Sequence, residues 1–131
     1  MDDRALLVRY QALAANRRHF ELLFFAVVAF SAIYGLAIGA ALHWALDCSV
    51  AGPLAASTIF GGGGFIAHRL LKRERSSFVA MNACWHKISG ELLPAQGSAA
   101  GAGAMSRVVV SLYAAGATPF VLACTHLIFS S

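Results

Sequence analysis

Charge is missing where this chain is most apolar. From Leu22 to Leu46 (LLFFAVVAFSAIYGLAIGAALHWAL) there is no Asp, Glu, Lys or Arg, and none between Val108 and Phe129. Charged residues make up only 12% of the 131 residues, about half the ~25% usual for a soluble domain. No charged pair falls inside any of the expected spans. Such residues are what mark proton and ion pathways, and a coupled transporter holds its substrate near the bilayer midplane. Their absence argues against transport chemistry, and no enzyme active site is evident. The three cysteines, Cys48, Cys84 and Cys124, form no C-x-x-C pair, so zinc and dithiol motifs have no basis. Basic residues sit beside apolar spans without a reader motif, which excludes nucleic acid as the expected partner.

What is there is apolar: 59% of residues are hydrophobic and the mean hydropathy is +0.69. A helix needs roughly 20 consecutive apolar residues to cross a bilayer core. A buried helix in a small soluble domain has no reason to be apolar on every side. The sequence therefore predicts an all-α integral membrane protein. It would be a single membrane domain with three transmembrane helices, a cytoplasmic N-terminal helical extension, and a cytoplasmic helix continuing span two. The expected boundaries are 2–20 for the cytoplasmic helix, 21–46, 50–71 and 107–129 for the spans, 72–92 for a cytoplasmic amphipathic helix, and 93–106 for a flexible linker.

The first segment has no Pro or Gly before the apolar run, and Asp2 and Asp3 suit a helix N-terminus. Leu6, Leu13 and Phe20 recur every seven residues, with Tyr10 on the same side. No breaker separates it from the first span, so one helix of roughly 65 Å is expected at 1.5 Å per residue. Glu21 follows Arg17 by four residues and Arg18 by three, and is expected to be paired at the interface rather than buried. A cleaved signal peptide is not expected, since the apolar run is too long and acids precede it. Asp47 before Cys48 departs from a lipobox. Pro53 falls in the first turn of span two, where its missing N–H does no harm. Gly61–Gly64 each cost about 1 kcal/mol against Ala in a helix interior. In lipid an unpaired backbone group costs more, so the helix is expected to survive. Phe78, Met81, Trp85, Ile88 and Leu92 then form a stripe of threes and fours, interfacial or coiled-coil-like. Gly90 and Pro94 close it. Pro119 is expected to kink the last span, which reads as a C-terminal anchor.

Lys and Arg in short loops stay on the cytoplasmic side. Arg4, Arg9, Arg17 and Arg18 precede span one. Arg69, Lys72, Arg73, Arg75, Lys87 and Arg107 lie between spans two and three. The turn at 47–52 and the C-terminus have none. This predicts a cytoplasmic N-terminus and a periplasmic C-terminus in a bacterial inner membrane. The alternative has two crossings, with the last segment re-entrant or interfacial.

Four constellations follow. Ser31, Gly35 and Gly39 share one face of span one, where small residues let another helix approach closely. Gly61, Gly62, Gly63 and Gly64 offer the same on span two, beside Ala55, Ile59 and Ala67. Ser111, Ala115 and Ala123 offer it on span three. These faces serve packing within one chain or between chains. Second, His19 with His68, and His43 with His126, are placed at paired heights that would suit bis-imidazole haem ligation. A His43, Asp47 and His126 metal site is also drawable. The plainer expectation is hydrated boundary histidines, with no cofactor. Third, Cys48 and Cys124 would meet at an oxidising face, or stay as ordinary thiols. Fourth, Arg69, Lys72, Arg73 and Arg75 set topology and would attract anionic lipid headgroups.

In size and layout the chain resembles the small three-helix anchor subunits of respiratory complexes, without their haem-ligand motifs. That likeness is of architecture, which does not carry function. The function expected is non-enzymatic. It is assembly through helices, in the lipid bilayer, with other membrane subunits or with itself. The alternatives are a haem- or metal-binding anchor of an electron-transfer complex, and an oligomeric pore or membrane-disrupting effector lined by Ser31, Tyr34, Ser57 and Thr58.

Overall fold

A computed structural model describes residues 3–45, 50–90 and 98–129. They form three α-helices: α1 (Asp3–Ala45), α2 (Ala51–Ser89) and α3 (Ser98–Phe129). Among the described residues only Val50 and Gly90 lie outside them. α1 runs 43 residues without a break, because nothing between its charged start and its apolar end interrupts the backbone ladder. α2 is equally continuous over 39 residues, and its four consecutive glycines stay helical. Gly90 ends it with φ +73° and its N–H donates to the His86 carbonyl at 2.9 Å. Only a residue without a Cβ takes that left-handed position cheaply.

α3 departs from the expected boundaries. Residues 98–106, expected to be part of a flexible linker, are its first turns. Small residues suggested a connector, but Ala99, Ala100, Ala102 and Ala104 are the strongest helix formers. They outweigh Gly101 and Gly103. Residues 93–97 lie outside the described residues, as do Leu46 and Leu92 at the margins of the expected elements.

Two helices are long and apolar enough to cross a membrane: α1, with a mean hydropathy of 2.3 over its best stretch, and α3, with 1.7. α2 is not, so the expected three spans reduce on this measure to two. Its first half spends five positions on glycine and others on Pro53, Ser57, Thr58 and His68, none of which brings a large apolar side chain.

The chain divides into two compact units. The first comprises Met1–Phe24 and His68–Ser106. Its α1 part turns inward Leu6, half-buried Tyr10, Leu13 and Arg17, and Phe24. Its α2 part turns inward Leu71, Glu74, Met81 and Cys84, with Phe78, Trp85 and Ile88 half-buried. Both rows advance by threes and fours, the spacing of a helix face. Tyr10 and Trp85 meet with ring centroids 5.4 Å apart at 42°, within the favourable range for tilted rings.

The second unit comprises Phe25–Ala67 and Arg107–Ser131. Its inward rows are mostly small: Ser31, Gly35 and Gly39 on α1, and Gly52, Phe60, Gly63, Gly64 and Ala67 on α2. α3 contributes Val109, Leu112, Gly116 and Ala123. Apart from Phe60, Val109 and Leu112, its large apolar side chains mostly point outward. Phe30 is 58% exposed, Leu36 67%, Leu122 61% and Ile128 70%.

Candidate functional site

Within the second unit the helices touch through missing side chains. A Cβ on Gly35 would lie 2.8 Å from Phe60 Cε2. One on Gly39 would lie 3.0 Å from the Ala56 Cβ and 3.4 Å from the Gly52 carbonyl. One on Gly63 would run into Ser31 Oγ and stand 2.7 Å from Ser31 Cβ. On the other side of α2, a Cβ on Gly64 would meet Tyr113 Cδ1 at 3.3 Å. Gly61 and Gly62 have open space where a Cβ would go. Gly61 still takes part, because a Cβ on Gly116 would sit 3.0 Å from its backbone nitrogen.

Two members of this interface were missed in the sequence. A Cβ on Gly52 would lie 2.8 Å from His43 Cβ and 3.0 Å from His43 N. Gly52 continues the row Gly63–Phe60–Ala56 backwards by steps of three and four, and that periodicity was the available signal. Gly116 continues Val109–Leu112 toward Ala123 in the same way. Of the expected α3 stripe, Ala123 is buried, whereas Ser111 and Ala115 are exposed and their neighbours Leu112 and Gly116 face inward.

The Ser and Thr hydroxyls among the described residues of this unit donate to backbone carbonyls. Ser31 Oγ donates to Val27 O at 2.7 Å, and Thr58 Oγ1 to Leu54 O at 2.9 Å. Ser111 and Thr118 do the same to Arg107 O and Ala114 O, as does Thr125 to Leu122 O. Ser57 is different: its Oγ donates across to Gly116 O on α3. Pro119 lies three residues beyond that carbonyl and has no N–H to give the preceding turn. The carbonyl that loses its ladder partner to Pro119 is Ala115 O, so the α2 hydroxyl reaches the carbonyl next to it.

The first unit holds a charged centre that the sequence did not reveal. Arg17 Nε donates to Glu74 Oε1 at 2.7 Å, and its other arm reaches Glu21 Oε1 at 3.3 Å. Its guanidinium carbon lies 4.9 Å from the centre of the Phe78 ring, within cation–π range. The Glu74 side chain is 8% exposed, Arg17's 21%. The pairing of Arg17 with Glu21 was visible as a four-residue spacing. Glu74 was not, because it looked like one acid inside a basic run.

Arg69, Lys72, Arg73 and Arg75 are all exposed. So are His19, His43, His68 and His126. His43 borders an open apolar crevice with Trp44, Gly39, Gly52 and Pro53. Asp47, the third member of the drawable metal trio, lies outside the described residues. Among the described residues no three His, Cys, Asp or Glu side chains gather as a metal would need. Cys84 is buried and Cys124 half-buried, while Cys48 lies outside the described residues. No known family matches the chain, and no curated protein or solved structure matches it. The fold and its contacts define a class no finer than an all-helical chain with two helices able to cross a membrane.

Proposed function

We propose that this chain is a three-span integral membrane protein that acts by helix-mediated assembly, as an accessory subunit or a homo-oligomer, without catalysis. One observation carries the membrane placement. In the most apolar 18-residue stretches of α1 and α3, only 22% of residues are buried. The core helix of a soluble domain would be mostly buried, and patches of this kind on soluble monomers stay below a few hundred Å². Lipid removes the conflict. α2 falls short on apolarity because Gly52 and Gly63 face α1 and Gly64 faces α3 rather than lipid. In lipid no hydrophobic force drives helices together, so close packing through glycine and interhelical hydrogen bonds supplies the attraction.

The assembly reading is supported by what the polar side chains are doing. The described Ser and Thr hydroxyls of the second unit donate to carbonyls, Glu74 is held by Arg17, and the outward faces of α1 and α3 carry large apolar side chains. Because the Ser31, Gly35, Gly39, Gly63 and Gly64 contacts are used within the chain, partners would meet the outward faces, where Gly62 leaves an open notch. The N-terminus lies in the cytoplasm and the C-terminus in the periplasm of a bacterial inner membrane, with the basic residues of α2 toward anionic headgroups. Two measurements test this. A membrane-impermeant maleimide should label Val50→Cys from outside intact cells, in a background lacking the native cysteines. Gentle detergent extraction should give a discrete complex larger than one chain. Labelling only after lysis, or a monomer without companions, would overturn the respective half.

A further inference from the structure

Glu74 stands in the middle of the basic run, and counted along the sequence it offsets one of its neighbours. The fold takes it off the surface. It is turned inward and held by Arg17 at 2.7 Å, so the exposed side of this stretch keeps cations alone. At about 100° per residue, Leu71, Glu74, Phe78 and Met81 fall on one side of α2. Arg69, Lys72, Arg73 and Ser76 fall on the opposite side at i, i+3, i+4 and i+7, the spacing of one continuous stripe. All four are exposed. Arg75 is exposed too; it follows Lys72 by three residues but lies about 110° from the middle of the stripe. Among the described residues, Lys72 and Arg73 make no pair with an acid.

We propose that this stripe is a phosphate-binding contact for anionic phospholipid headgroups, made by Lys72 and Arg73 with Arg69 and Ser76 beside them, and that Arg75 lies outside it. The proposal rests on the membrane placement above. Its ligand class follows from the helix itself. Phe65 and Ile66, 53% and 50% exposed, lie one turn before Arg69. Apolar side chains give way to cations within that turn, which is the profile of a hydrocarbon-to-headgroup boundary. Arg offers a planar fork of donors to phosphate oxygens and Lys a compact charge, while the Ser76 hydroxyl adds a neutral donor.

The experiment is native mass spectrometry of the whole chain released from a non-ionic detergent. Palmitoyl-oleoyl phosphatidylglycerol or phosphatidylcholine is titrated in separately. Wild type should retain the anionic lipid at least tenfold more tightly. The Lys72→Gln/Arg73→Gln double variant should lose that preference, from about fivefold per charge near an anionic surface. Arg75→Gln should keep it. Helicity by circular dichroism confirms that each variant is folded. Equal retention of the two lipids by wild type overturns the proposal. So does an Arg75→Gln loss as large as the double variant's, which would mean diffuse attraction without a stripe. Displacement of the lipid by an equal concentration of inorganic phosphate would overturn the lipid as ligand. Recovery of the chain in buffer without detergent is a separate result, and it removes the membrane placement itself.

Discussion

Adding one methyl at neighbouring glycines should have opposite effects, and the difference measures how α1 and α2 are held together. Gly62→Ala places its Cβ in open space and gains helix propensity, up to about 1 kcal/mol. Gly63→Ala gains the same propensity but drives its Cβ against Ser31, whose Cβ would be 2.7 Å away. Ser31 Oγ can rotate aside; its Cβ cannot, so the helices must separate. Overpacking of this kind costs about 1–3 kcal/mol, which leaves Gly63→Ala up to about 2 kcal/mol less stable than wild type once propensity is counted. The two alanine variants should then differ by about 1–3 kcal/mol. A second substitution separates sterics from polarity. With Ser31→Gly the nearest part of residue 31 is its Cα, 4.0 Å from the new methyl, an ordinary contact. Ser31→Gly should therefore rescue Gly63→Ala, whereas Ser31→Ala, which keeps the Cβ, should not. These are contacting positions, where non-additivity is expected. The assay is denaturant titration of helicity in mixed micelles. If Gly62→Ala and Gly63→Ala behave alike, or if Ser31→Ala rescues as fully as Ser31→Gly, the close-approach reasoning fails.

Three further outcomes follow from other contacts. Arg17→Met alone should loosen the first unit by about 3 kcal/mol, because it leaves Glu74 buried without its partner, and Glu74→Gln by less, because Arg17 keeps Glu21, while Arg17→Met/Glu74→Leu should come back close to wild type. Hydrogen exchange across residues 6–17 and 74–85 reads this directly. Trp44 is 81% exposed and Trp85 stacks near Tyr10. Brominated acyl chains should quench the Trp85→Phe protein, which keeps only Trp44, and spare the Trp44→Phe protein. The purified protein should show no Soret band, whereas a band lost in His43→Ala or His126→Ala would replace the assembly reading with a haem anchor.

Much of the helical scaffold was legible in advance. An uninterrupted run without breakers has one low-cost backbone solution, so α1 could be drawn from its residues alone. The end of α2 was legible at Gly90 for a local reason, its tolerance of positive φ. The start of α3 was misread because alanine favours a helix and also looks like linker composition when mixed with glycine. The small-residue rows on α1 were readable as faces, but not their contacts. Which of Gly61 to Gly64 faces α1, α3 or neither depends on the rotation of α2, and four equivalent residues carry no information about rotation.

The sequence by itself determined that the chain is helical and that the runs ending α1 and α3 are apolar enough to cross a membrane, although it led to a third span that α2 does not match on the same measure, and it placed the cations beside the apolar runs. Those properties sum along the chain and need no knowledge of neighbours. Only the tertiary structure decided that Glu74 is withdrawn to Arg17, that Gly52 and Gly116 complete the glycine contacts, and that Ser57 serves the carbonyl of Gly116. Each depends on two residues more than fifty positions apart meeting, or on the facing angle of a helix. Backbone propensity fixes neither, because side-chain shape settles them only once the helices have come together.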